Sequence, residues 1–192
     1  LQGAVGWFMV ASGFFADATT VSPYRLVIHL SLALVLLAAI VWTGLTLLEP
    51  DARRPGAPRW LGTTARTLCV LLGLTILAGG FVAGLRAGLD YNTFPLMDGR
   101  VVPEGYSSLH PFLLNLTENI AAVQFNHRLL ATATLLLALG TSAAGLLLGG
   151  PQAPRHPLAI MGILAAVQYI LGVSTLLWLS LIHISEPTRP ER

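Results

Sequence analysis

The stretch Glu118–Gly140, ENIAAVQFNHRLLATATLLLALG, opens polar, turns apolar within about two helical turns, and sets His127 and Arg128 side by side at the transition. The apolar pattern carries on to Gly149, longer than core helices usually run without charge and ample for the roughly 20 residues that cross a bilayer. An imidazole and a guanidinium inside such a segment are expensive, and ionisable side chains in spans usually have work to do. The fold and the function are both read from this transition.

Asn119–Gly149 is one of five apolar blocks, the others being Leu1–Phe15, Tyr24–Leu48, Leu61–Leu89 and Pro157–Leu179. Of 192 residues, 54% are hydrophobic and only 10% charged, against about 25% charged in soluble domains. The expected fold class is therefore all-α, an integral membrane helical bundle with five spans present. A net charge of +2 is too small to point to nucleic acid, so lipid is the expected surrounding and nucleic acid is excluded as a partner.

Charge placement orients the bundle. Residues 49–60 carry Arg53, Arg54 and Arg59, and by the positive-inside rule this loop is cytoplasmic. The long connection 90–118 bears Asp90, Asp98, Glu104 and Glu118, flanked or interrupted by Arg86 and Arg100, and is expected outside. Alternation then puts His29 and His127 toward the same, outer side, each roughly 8–12 Å in at a rise of ~1.5 Å per residue. Two histidines at matched depth call for one explanation.

Both ends look unnatural. Leu1 begins in mid-pattern and its block is short for a span, so the front is expected to be cut. After Ser180 the composition changes abruptly, and LIHISEPTRPER resembles the translation of a common sequencing adapter; residues 181–192 are read as an artefact and His183 carries no weight. A weak internal repeat aligns Gln2 and Gly6 with Gln168 and Gly172. Membrane proteins are often built from duplicated halves. On that repeat, the counterpart of His29 would fall near position 195.

Three constellations could carry chemistry. Arg25 and His29 share a helix face at i, i+4; Gln124 and His127 share one at i, i+3; and Arg128 points about 100° away, within snorkelling reach of the interface. A neutral imidazole nitrogen suits haem iron, and arginine suits the carboxylates of haem propionates. The plainer reading makes each histidine a hydrogen-bonded strut and each arginine a headgroup anchor. The rarity of ionisable groups within spans favours ligands.

In the third block, Gly80, Gly84 and Gly88 stack at four-residue spacing, which predicts close helix packing. That packing leaves Arg86 unexplained. It precedes LDYNTFPLMDGRVVPEG, a composition suited to a lid over a site. Cys69, the single cysteine, is read as a small buried hydrophobe without a disulfide. His110 and His156, each before a proline, are read as exposed loop residues.

The runs GGFVAGLRAGLDYNTFPLMDGRVVPEGY, ENIAAVQFNHRLLA, VSPYRLVIHLSLAL and LQGAVGWFMVASG resemble the haem A synthase family, of the type shared by proteobacteria and mitochondria. The resemblance runs from Leu1 to about Trp178. It implies eight spans in two pseudo-repeated halves, of which residues 1–48 would end the amino-terminal half and 61–180 would supply the fifth to seventh spans. It further implies oxidation of the C8 methyl of haem O to the formyl of haem A, for cytochrome c oxidase, with the haem sites on the periplasmic side of a bacterial inner membrane.

Under that resemblance His29 is an axial ligand in the half that takes the substrate haem O, and His127 an axial ligand of a resident haem b. Arg25, Arg86, Gln124 and Arg128 would line the sites. The family's catalytic glutamate has no counterpart within this chain, and each histidine lacks its partner, so the chain alone is expected to be inactive. A haem O synthase, an electron acceptor and a second copy of the chain are the partners implied. Two rival readings stay open: a di-haem electron carrier of the cytochrome b kind, and a small-anion transporter with a broken helix near Gly79–Gly88.

Overall fold

The fold was obtained as a computed structural model that describes residues 1–13, 21–48 and 58–184. Five helices follow one another: α1 (Gln2–Ala11), α2 (Pro23–Leu48), α3 (Arg59–Gly84), α4 (Ile120–Leu148) and α5 (Arg155–Ile184). Two short 3-10 turns, Ala87–Leu89 and Phe112–Leu116, lie in the long connection before α4. No strand forms among the described residues; an isolated bridge joins Met97 and Arg100.

Among the described residues, four helices are long and apolar enough to cross a membrane: 26 residues in α2, 26 in α3, 29 in α4, and 24 in α5 counted to Trp178. At 1.5 Å per residue the 26-residue helices reach about 39 Å, more than the roughly 30 Å of hydrocarbon. The first block differs from expectation, since α1 is only ten residues long and its polar end begins at Ser12. Residues 14–20 and most of the arginine-rich loop lie outside the described residues, as does the tail from position 185. Helix α5 itself continues past Ser180 to Ile184.

Burial is inverted relative to a soluble protein. Trp42, Leu48, Leu147 and Trp178 are exposed, whereas the buried side of α4 consists of Ala121, Ala122, Val123, Gln124, Ala138, Thr141, Ser142 and Gly145. Lipid solvates the large apolar groups, and small residues let helices approach. A Cβ on Gly145 would stand 2.6 Å from Leu158, and one on Gly162 2.7 Å from the Ser142 hydroxyl, which donates to the Leu158 carbonyl at 2.5 Å. The expected glycine packing on α3 is present at two of its three positions: Gly80 lies on Val27 and Leu30, Gly84 on Pro23, while Gly88 falls beyond the end of α3 in the Ala87–Leu89 turn. Cys69 is exposed on α3, not buried as expected.

Each helix packs on the next in sequence, giving a row α1–α2–α3–α4–α5, and α2 does not touch α4 among the described residues. His29 and His127 are therefore served by different helix pairs. Their ends are nonetheless level: Tyr24 at the start of α2 donates to Glu118 at 2.6 Å and meets the Thr117 hydroxyl at 3.0 Å, just before α4 begins.

Helix α3 stops earlier than its apolar pattern. It ends at Gly84, and Arg86 takes a left-handed backbone with φ 53°, a conformation disfavoured for a side chain with a Cβ and one that ends a helix. The connection that follows is folded. Met97 and Asn115 are fully buried, and Asn115 bonds Leu109 through both main-chain groups (3.0 and 2.8 Å) and the Phe112 carbonyl (2.9 Å). Asn119 caps α4 by accepting from Ala122 and donates back to Gly105 and Asn115 at 2.7 and 2.8 Å. The lid-like composition therefore corresponds to an ordered cap on the Tyr24–Glu118 end of the row.

Candidate functional site

The site follows from where α3 and α4 touch. At Gly79 a Cβ would lie 3.0 Å from Cε1 of His127, so the missing side chain is what lets the imidazole come close against α3. One turn earlier on α3, the Thr75 carbonyl oxygen sits 3.1 Å from His127 Nδ1. A carbonyl only accepts, so Nδ1 donates, and Nε2 is left with its lone pair. Thr75 also ties the two helices through its hydroxyl, 2.9 Å from that of Thr134.

The same construction recurs between α1 and α2. A Cβ on Gly6 would stand 3.0 Å from His29 Cε1, and one turn earlier Gln2 reaches His29 with its amide nitrogen, 3.3 Å from Nδ1 and 3.0 Å from the His29 carbonyl. Arg25, one turn along, points to α1 as well. Its guanidinium lies 3.9 Å above the Phe8 ring and donates to the Phe8 carbonyl at 3.0 Å. The expected shared face of Arg25 and His29 is thus the α1-facing side of α2. Both histidines are half-buried.

Around His127 the polar residues serve the cap. Arg128 donates to the carbonyls of Tyr91 (2.7 Å) and Thr93 (2.8 Å), and Gln124 donates to Tyr91 at 3.0 Å. Arg128 does not snorkel outward as the sequence led us to expect. Residues 91–93 belong to neither helix nor strand, so their carbonyls need donors, and the guanidinium fork meets two of them. Arg128 Nε, Gln124 Oε1 and Asn92 Oδ1 are buried without a partner among the described residues. Tyr106 completes the seal, donating to Asn126 at 3.0 Å and packing edge-on against Phe125.

Arg86 is exposed on the turn after α3, with no side-chain hydrogen bond among the described residues, and is not drawn to either histidine by any observed contact. His110 and His156 are exposed as expected, although His156 begins α5 rather than lying in a loop. Gln168 and Gly172, the repeat partners of Gln2 and Gly6, are also exposed, with open space over Gly172. Sequence reasoning missed Thr75 and Gly79. Their pattern, a glycine one turn after the Nδ1 partner, recurs at Gln2 and Gly6, which the sequence marked only as half of a repeat.

Each site offers one protein imidazole nitrogen, and no cluster of three or more His, Cys, Asp or Glu side chains suited to a bare metal ion occurs among the described residues. That donor set fits an iron whose equatorial positions a porphyrin fills and does not fit zinc, which takes three or four protein ligands.

Comparison with known proteins gives the following. The model of the family described as COX15-CtaA, cytochrome oxidase assembly protein, matches residues 1–185. The chain is 58% identical over 178 residues to the heme A synthase of Granulibacter bethesdensis, covering 92% of this chain and 46% of that protein. It is 44% identical over 181 residues to heme A synthase 2 of Acidiphilium cryptum, covering 92% and 49%. With the heme A synthase of a Methylobacterium species it shares 44% over 191 residues, covering 95% and 52%. The chain spans about half the length of the curated relatives it matches. No solved structure matches.

Proposed function

Because this chain belongs to the COX15-CtaA family of cytochrome oxidase assembly proteins, we propose that it acts, within its complete protein, as a haem A synthase: a membrane oxidoreductase that converts the C8 methyl of haem O to the formyl of haem A. The observation that carries the reading is the His127 imidazole, braced by Gly79 and the Thr75 carbonyl so that Nε2 remains available. In this reading His127 would hold a resident haem b, and His29 would hold the substrate haem O.

Bound haem would supply one-electron chemistry at iron. The protein's own contribution is placement. Gly79 and Gly6 let each ring lie close to its neighbouring helix, Thr75 fixes the His127 proton at Nδ1, and Arg128 with Gln124 fastens the cap over the end of α4. An ordered cap excludes water from an oxidation and keeps its intermediates from side reactions. Arg25, one turn from His29, and Arg86 stand at the same end of the row and are the cations that would meet propionates; the further polypeptide that completes each ligand pair, a haem O synthase and an electron acceptor are the partners this activity requires. The sites would face the periplasm from a bacterial inner membrane, by the same charge asymmetry that orients the loops.

The test is to express the complete gene in a host that makes haem O but lacks its own haem A synthase, and to extract the pigments. New haem A supports the enzyme. Unchanged haem O, with haem bound to the protein, means an electron carrier of the cytochrome b kind instead.

A further inference from the structure

His29 and His127 are held alike at the back of the ring and oppositely at Nδ1. In each, Cε1 faces a glycine of the preceding helix at the same 3.0 Å from its missing Cβ, and Nδ1 meets the residue one turn before that glycine. At His127 the partner is the Thr75 carbonyl, an acceptor, so the ring hydrogen is on Nδ1. At His29 the partner is the Gln2 amide nitrogen, a donor. Its orientation is fixed independently, because the same nitrogen donates to the His29 carbonyl at 3.0 Å, and turning the amide would set two oxygens face to face. Nδ1 of His29 therefore accepts, and its ring hydrogen is on Nε2.

We propose that Gln2 is a positioning residue that holds His29 in the tautomer opposite to that of His127, so that His29 offers Nε2 to iron only when the Gln2 amide releases Nδ1. The change is a relocation of one hydrogen within the ring, from Nε2 to Nδ1, with no electron transferred. Resting on the haem-site reading above, it divides the two sites by design: the site at His127 retains its haem, and the site at His29 lets its haem come and go. A residue acting behind a metal ligand typically changes affinity 10–100-fold, enough to separate a resident group from one that enters as substrate and leaves as product.

Two measurements on the protein from the complete gene test this. The first is nitrogen NMR of histidine-labelled, haem-free protein, with His29→Gln and His127→Gln to assign the signals. The expected spectrum shows Nε2 protonated in His29 and Nδ1 protonated in His127; Nδ1 protonated in both overturns the proposal. The second is haem loss from each site to an apo-globin acceptor. Gln2→Glu, whose carboxylate accepts from Nδ1, should slow loss from the His29 site about tenfold, Gln2→Leu, which frees Nδ1 without supplying an acceptor, should slow it by less, and loss from His127 should stay as in the parent. Loss that neither variant slows, or that leucine quickens, contradicts the role given to Gln2. A parent that holds no haem at either histidine overturns the proposed function and the ligand role together, while the nitrogen spectra still judge the tautomers.

Discussion

His127 packs against Gly79, its Cε1 3.0 Å from where a Cβ would be, and this contact couples the packing of α3 and α4 to the aim of the imidazole.

Gly79→Ala and Gly79→Val should therefore separate stability from binding. A glycine inside a helix costs roughly 0.5–1 kcal/mol relative to alanine, so helix content and melting should hold or improve with alanine. The imidazole, however, must move by a few tenths of an ångström for alanine and farther for valine. We expect haem bound at His127 to fall about tenfold in the valine variant, measured by absorbance per protein. Parent-level haem in Gly79→Val would remove the contact from the account.

At Gly84 the obstacle is backbone. A Cβ there would lie 2.9 Å from Pro23 Cα, which cannot swing away as a side chain can. Gly84→Ala should destabilise the protein by about 1–3 kcal/mol. Gly73→Ala, in the same helix with nothing within 4 Å, is the control and should be neutral or stabilising. Thermal unfolding in detergent reads both.

Much of this was legible in the sequence, for physical reasons that also mark its limits. Helix α4 matched its apolar block almost to the residue because Asn119 can cap it and Gly149 can end it. The third block misled at its end, since Leu85 to Leu89 continue the apolar pattern while Arg86 adopts a left-handed backbone that no periodicity records. The face shared by Arg25 and His29 followed from helical spacing, but its partner α1 did not. Arg128 was expected at the interface because spacing gives direction and not destination; the unpaired carbonyls of Tyr91 and Thr93 decide where the fork goes. Thr75 acts through its main chain at His127, and a main-chain acceptor leaves no mark on residue type.

Arg128→Lys keeps the charge and loses the fork. Hydrogen bonds to charged groups contribute about 1.5–3 kcal/mol each, so amide exchange across residues 91–98 should quicken tenfold or more in this variant and at least as much in Arg128→Ala. Parent-like protection with lysine would mean that charge, and not the two-carbonyl geometry, holds the cap.

Asn115 is fully buried and serves three main-chain groups of the cap as well as Asn119. Asn115→Ala leaves them without partners at about 1–3 kcal/mol for each buried group stranded. The expected result is rapid cleavage within residues 100–118 by a protease that leaves the parent cap intact, with the apolar helices undigested. A cap as resistant as the parent's would show that Asn115 is dispensable to it.

The most direct test of the haem-site reading is the visible spectrum of the complete-gene protein with His127 changed to Ala. We predict loss of the b-type absorbance with helix content retained; an unchanged spectrum and haem content would contradict the assignment of His127 as an axial ligand.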